Sequence, residues 1–125
     1  MKAIGNYFGM AFLLLTIAAC TSKPIMNIHD VAVPPGHTQD QVQKAIYAAG
    51  ASLGWVMKDV QPGMIRGVLK LRTHEAEVDI AYSSASYSIT YASSVNLDYK
   101  AGNIHRAYNT WVTNLSRSIQ TEISK

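Results

Sequence analysis

The sequence predicts an α+β domain: a helix, an antiparallel meander of about four strands and a second helix, with both helices packed on one sheet face. Three observations carry this prediction. Apolar residues recur at three- and four-residue intervals after Thr38 and again after Asn103, the period of a helix with one buried stripe. Between these stretches the period drops to two, over residues 69–72 and 76–82, as in strands with one buried face. Strands follow one another without intervening helices, which favours an antiparallel sheet covered on one side over a parallel one.

The elements are read in chain order. Met1-Lys2 opens a charge-free, nearly unbroken apolar stretch over residues 7–19. A short basic start and an apolar run below the roughly 20 residues of a membrane-crossing helix have the plan of an export signal. Ile17-Ala18-Ala19 then precedes Cys20, the sole cysteine. These four residues resemble the bacterial lipobox. The resemblance implies a signal peptide spanning residues 1–19, cleavage before Cys20 and a diacylglyceryl group on its sulfur. Thr21-Ser22 lacks the aspartate of the inner-membrane retention rule of enteric lipoproteins, so the implied address is the outer membrane, on its periplasmic face. The competing reading makes Cys20 an incidental residue of an ordinary signal or anchor. With one thiol, the domain has to fold in an oxidising compartment without an intramolecular disulfide.

Residues 20–37 contain Pro24, Pro34, Pro35 and Gly36, which oppose a helix and predict an extended tether from the lipidated cysteine to a domain over 38–125. Ile25, Ile28, Val31 and Val33 are more apolar than a free linker needs, so part of the tether is expected to lie against the domain. Thr38-Gln39-Asp40-Gln41 reads as a capping box that starts a helix with Val42, Ala45, Ile46, Ala49 and Leu53 on its face, stopped by Gly54.

Residues 55–60 then form a strand, and Gln61-Pro62-Gly63 turns into the next. A two-residue turn at Thr73-His74 sets Arg72 opposite Glu75, Lys70 opposite Glu77 and Leu69 opposite Val78, pairing charges on one face and apolar residues on the other. A second hairpin through residues 83–86 sets Tyr82 opposite Tyr87, Ile80 opposite Ile89 and Val78 opposite Tyr91. Residues 95–99 either extend the sheet or lead into the last helix. Asn103 is placed to cap that helix, whose face runs Ile104, Ala107, Tyr108, Trp111, Val112, Leu115, Ile119 and Ile123.

Composition narrows the function classes. A chain of 125 residues, 48% hydrophobic and 15% charged with a formal charge of +3, is one small domain plus its targeting segment. Its basic residues are scattered and interleaved with acids, which argues against a nucleic-acid partner. Gly54-Trp55, the stretch from Val68 to Tyr99 and "IHRAYNTW" at Ile104 to Trp111 resemble a family of small, exported, often lipidated proteobacterial proteins without an assigned activity. That resemblance implies the fold and the address and carries no chemistry.

Candidate chemistry is sparse. His74, Glu75, Glu77 and Asp79 form the densest titratable set, but alternation puts the carboxylates on the outer face opposite Arg72 and Lys70, where weak ion pairs account for them. The four histidines lack ligand spacing, so no metal and no cofactor is expected. His105, Arg106 and Asn109 open the predicted last helix, and His105 and Asn109 one turn apart could hold an anionic or amide ligand; a histidine bonded to the preceding loop is the simpler account. Tyr91, with Tyr82, Tyr87, Trp55, Tyr108, Trp111 and Tyr47, joins an aromatic layer that either lines a small-ligand cavity or packs as core. No Gly-x-Ser-x-Gly elbow accompanies the serines, so the chain is not expected to be an enzyme. The favoured function is a lipid-anchored binding or assembly module for another envelope component, ahead of an apolar-ligand carrier and an envelope hydrolase or transferase using His105 or His74.

Overall fold

The computed structural model describes residues 21–125; the expected signal peptide over 1–19 and Cys20 lie outside the described residues. In chain order the elements are β1 (Ser22–Pro24), β2 (Ile28–Ala32), α1 (Gln39–Leu53), β3 (Val56–Gln61), β4 (Met64–Leu71), β5 (His74–Tyr82), β6 (Ser86–Val95), β7 (Asn103–His105) and α2 (Ala107–Ile123). Five strands form an antiparallel sheet in the order β2-β6-β5-β4-β3, and β1 pairs with β7 in a separate ribbon.

The start of α1 follows from its first four residues. The Gln41 N–H donates to Thr38 Oγ1 at 3.1 Å, and the Thr38 N–H donates to Gln41 Oε1 at 2.9 Å, which completes the capping box. Gly54 ends the helix at φ 85°, a left-handed conformation that glycine adopts without a Cβ clash. Val42, Ala45, Ile46 and Ala49 are buried along one stripe, as the periodicity requires.

In the sheet, Ile65, Leu69, Ala76, Val78, Ile80, Tyr87 and Ile89 turn one face inward. The second hairpin has the expected register: Tyr82 opposite Tyr87, Ile80 opposite Ile89 and Val78 opposite Tyr91. The first is displaced by two residues. Leu71 faces His74, Lys70 faces Glu75 and Arg66 faces Asp79, so the turn residues are Arg72 and Thr73 rather than Thr73 and His74. A slip of two conserves the inward and outward sets, which is why the apolar pattern could not distinguish the registers. Arg72 makes the tight turn at φ 58°.

Two further expectations change. The predicted tether is part of the domain, whose described structure begins at Thr21 rather than Thr38. Val33 is buried, and Ile25, Ile28 and Val31 pack against the core, so β2 gains enough apolar contact to become the fifth strand of the sheet. Likewise α2 begins at Ala107, and Asn103 does not cap it; Asn103, Ile104 and His105 are the strand that pairs with Pro24, Lys23 and Ser22. Ile104 is fully buried there, so its apolar signal was that of a strand and not of a first helical turn.

Both helices pack against each other and on the inward sheet face. The Tyr87 hydroxyl lies 2.7 Å from Ser116 Oγ and donates to the Ser116 carbonyl at 3.1 Å, which fixes α2 over β6. The sheet has two distinct ends. The Pro62-Gly63 turn meets the end of β5 through the Tyr82 N–H to Gly63 carbonyl bond at 2.9 Å. At the other end, the Asn96 amide donates to Thr73 Oγ1 at 2.8 Å, the His105 N–H to the Leu97 carbonyl at 2.8 Å and the Arg106 N–H to the Thr21 carbonyl at 2.9 Å. Those bonds tie the first described residue to the β4–β5 turn.

Candidate functional site

That second end holds the cleft that joins two of the candidate residues. His74, at the start of β5, and His105, in β7, line one open cleft of about 330 Å³ with Arg72 and Trp111; Leu71, Leu97 and Ala107 complete its walls. The backbone fixes opposite tautomers in the neutral rings. His74 Nδ1 lies 2.7 Å from the Asn96 carbonyl, which only accepts, so Nδ1 carries the proton and Nε2 the lone pair. His105 Nδ1 accepts the Ala107 N–H at 3.1 Å, so its proton is on Nε2. The cleft therefore combines one imidazole acceptor, one imidazole donor, a guanidinium and an indole. Its walls carry no hydroxyl, thiol or carboxylate, and the two imidazoles with the Arg72 guanidinium equip it to hold a polar or anionic group.

The other candidates are placed elsewhere. Asn109 is committed to the backbone: its Oδ1 accepts the Met26 N–H at 2.9 Å and its Nδ2 donates to the Pro24 carbonyl at 2.9 Å. It is a clamp on the N-terminal segment and does not share a helix face with His105, which precedes α2. Arg106 is exposed and its N–H binds Thr21. Tyr91 stacks on Tyr99 with centroids 4.7 Å apart and meets Tyr108 edge-on at 5.6 Å, while its hydroxyl lies 2.8 Å from Ser94 Oγ. Cys20 lies outside the described residues.

Nothing among protein-family models, curated proteins or solved structures matches this chain.

The aromatic layer is packed. Trp55, Tyr87 and Tyr108 are buried in the core, with Tyr47, Tyr82, Tyr91 and Trp111 against it. The Tyr108 hydroxyl is buried with no hydrogen-bond partner, and burial, followed by the influence of Tyr91, pushes its pKa far above the ordinary phenol value. At the opposite end, a cleft of about 340 Å³ runs between the start of α1 and the β3–β4 turn, with Asp40 and Asp59 in its walls. Asp59 accepts the Tyr47 hydroxyl at 2.8 Å and both its oxygens take Gln43 Nε2 at 3.2 Å. Burial first, then the bond to Asp59, raises the Tyr47 pKa.

The outer sheet face is a charge ladder. Arg66 grips Asp79 at 2.8 Å and approaches Glu77 at 3.7 Å, and Lys70 lies 3.6 Å from Glu75. Its edge is less guarded: Val56 is 69% and Val60 55% exposed on β3, an outer strand that runs six residues. The other edge strand, β2, is interrupted by a register shift and by Asp30 at φ 52°. Among the described residues no helix is long and apolar enough to cross a membrane, and no cluster of three potential metal ligands converges.

From sequence Arg72 reads as a partner of Glu75, whereas in the structure it stands in the turn and lines the cleft. Trp111 reads as a member of the aromatic layer. Neither position carried a sequence signal that marked it as a cleft residue.

Proposed function

We propose that this chain is an outer-membrane lipoprotein, anchored through Cys20 on the periplasmic face, whose domain binds or helps assemble another envelope protein. The signal-like start with Ile17-Ala18-Ala19-Cys20 supports the anchor, and the resemblance to small exported proteobacterial proteins supports the address. The observation that carries the binding reading is the β3 edge, where exposed Val56 and Val60 flank Lys58 beside unpaired backbone groups that can accept a partner strand. The aromatic layer favours this reading over a carrier, because the hollow that Leu53, Trp55, Leu69 and Trp111 line between sheet and helices measures only about 100 Å³, small for an apolar ligand.

A photo-crosslinking residue placed at Val56, and separately at Lys70, in intact cells tests the proposal. A discrete envelope-protein adduct from Val56 is the expected result. No adduct from either position, in protein shown by mass spectrometry to be acylated at Cys20, would overturn the docking. Normal cleavage of a Cys20→Ala variant would overturn the anchor.

A further inference from the structure

We infer that the domain is not held off the membrane on a flexible leash but rests on it, with the end built by β1, β7 and the β4–β5 turn seated on anionic phospholipid headgroups. This inference rests on the lipid anchor proposed above. Its first support is the length of chain between lipid and fold. Thr21 immediately follows Cys20, and its carbonyl already accepts the Arg106 N–H; Ser22 is paired with His105. One residue spans at most about 3.6 Å. A diacylglyceryl group buried in a bilayer therefore brings the β1–β7 ribbon to headgroup level.

Charge and surface chemistry at this end match such a support. Lys23, Arg72, Lys100 and Arg106 are exposed there, and none has an ion-pair partner among the described residues. The acids on the same end are Asp98 and Glu75, the latter engaged with Lys70. Leu71 and Val95 stand 48% and 54% exposed at the same sheet end, with Tyr99 at 50% in the loop that follows β6, so aliphatic and aromatic side chains flank the cations as at a membrane interface. The N-terminus of α2 lies beside the His74 cleft, so its partial positive charge adds to the field. At the far end, the cleft walls hold Asp40 and Asp59 and no cation. Unpaired cations thus gather next to the anchor, while the two acids of the far cleft stand at the other end of the sheet.

The lipidated chain, reconstituted in nanodiscs of phosphatidylcholine alone or mixed with phosphatidylglycerol, provides the test. A paramagnetic chelate carried on a fraction of the lipid headgroups should broaden the backbone amides of Lys23, Arg72 and Lys100 in the mixed discs and spare Gly63 and Ser84 at the opposite end. Each basic side chain near an anionic surface strengthens attachment about fivefold, so Arg72→Gln with Lys100→Gln should weaken vesicle binding of an unlipidated chain expressed from Thr21, which leaves out the apolar run, about twenty-five-fold. Even broadening over both ends, or equal broadening in the two lipid compositions, would overturn the seating while leaving the anchor intact. Capture of a peptidoglycan fragment or protein at Arg72 in place of lipid would overturn it as well. An unmodified Cys20 and a chain that fails to enter the discs would remove the anchor and this inference with it.

Discussion

Replacing Asn109 with alanine should turn the first strand into a leash while leaving the core intact. The Asn109 carboxamide makes two hydrogen bonds at 2.9 Å, one from the Met26 N–H and one to the Pro24 carbonyl. Each such bond contributes about 1 kcal/mol net, and both backbone groups are free to hydrate once the segment lifts, so no burial penalty follows. The loss is about 2 kcal/mol, a factor of about 30 in the local opening constant. It falls on a small unit, because β1 and β7 share only three register pairs, continued by the Ile25 N–H to Gly102 carbonyl bond. Native-state hydrogen exchange reads this out: the amides of Ile25 and Arg106 should exchange about thirtyfold faster, while those of Val78 and Ile80 in β5 keep their rates. Asn109→Asp retains the acceptor and loses the donor, and should give an intermediate acceleration. Unchanged exchange at Ile25 and Arg106, or the same acceleration throughout β5, would refute the clamp as a local device.

Four further outcomes are expected. Tyr108→Phe removes an unpartnered buried hydroxyl and should stabilise the domain by about 1 kcal/mol, raising the melting midpoint by about 4 °C. The Tyr108 pKa is raised in the folded state from its ordinary 10.0, so its contribution is complete below pH 10.0 and is lost as pH rises above that value; stability measured by urea titration should fall less steeply with alkali in the phenylalanine variant. Gly67→Ala places a Cβ 3.0 Å from Met57 Sδ, 3.2 Å from Val78 Cγ2 and 3.3 Å from Trp55 Cε3, and should destabilise by about 1–3 kcal/mol in the same assay. Arg66→Ala should cost less than about 1 kcal/mol, since the pair with Asp79 is partly exposed and screened by salt; a larger loss by denaturant titration would mark the outer face as a cooperative network.

How far the fold could be read in advance depended on whether a local rule had one solution. The capping box at Thr38 and Gln41 and the glycine at 54 fixed α1 at both ends, because side-chain caps and left-handed stops are local chemistry. The Tyr82–Tyr87 hairpin was legible through its serine-rich turn and matched apolar pairs. The neighbouring hairpin was not, since a slip of two residues keeps every face and the charges offered partners in both registers. The strand character of Ser22–Pro24 and Asn103–His105 was hidden for a different reason: each is three residues long and is defined by a partner about eighty positions away. For the same reason the meeting of His74 with His105 was illegible, although each was singled out alone; their shared cleft depends on the Asn96 carbonyl, which takes His74 Nδ1, and on the neighbouring Leu97 carbonyl, which takes the His105 N–H. Asn109 had the right address and the wrong task.

The fit of Met57 against two glycines gives the edge strand a chemical weakness. A Cβ at Gly50 would stand 2.5 Å from Met57 Cε, and one at Gly67 would stand 3.0 Å from its sulfur, so the thioether occupies a slot that exists because neither neighbour has a side chain. Through that slot α1 holds β3, the strand whose exposed valines form the proposed docking edge. Oxidation to the sulfoxide adds an oxygen and a strong dipole to a side chain packed against the core. A mild peroxide dose should therefore loosen β3 before the rest of the sheet, and Met57→Leu should protect it, so the proposed grip on a partner strand would become sensitive to the oxidants of its surroundings.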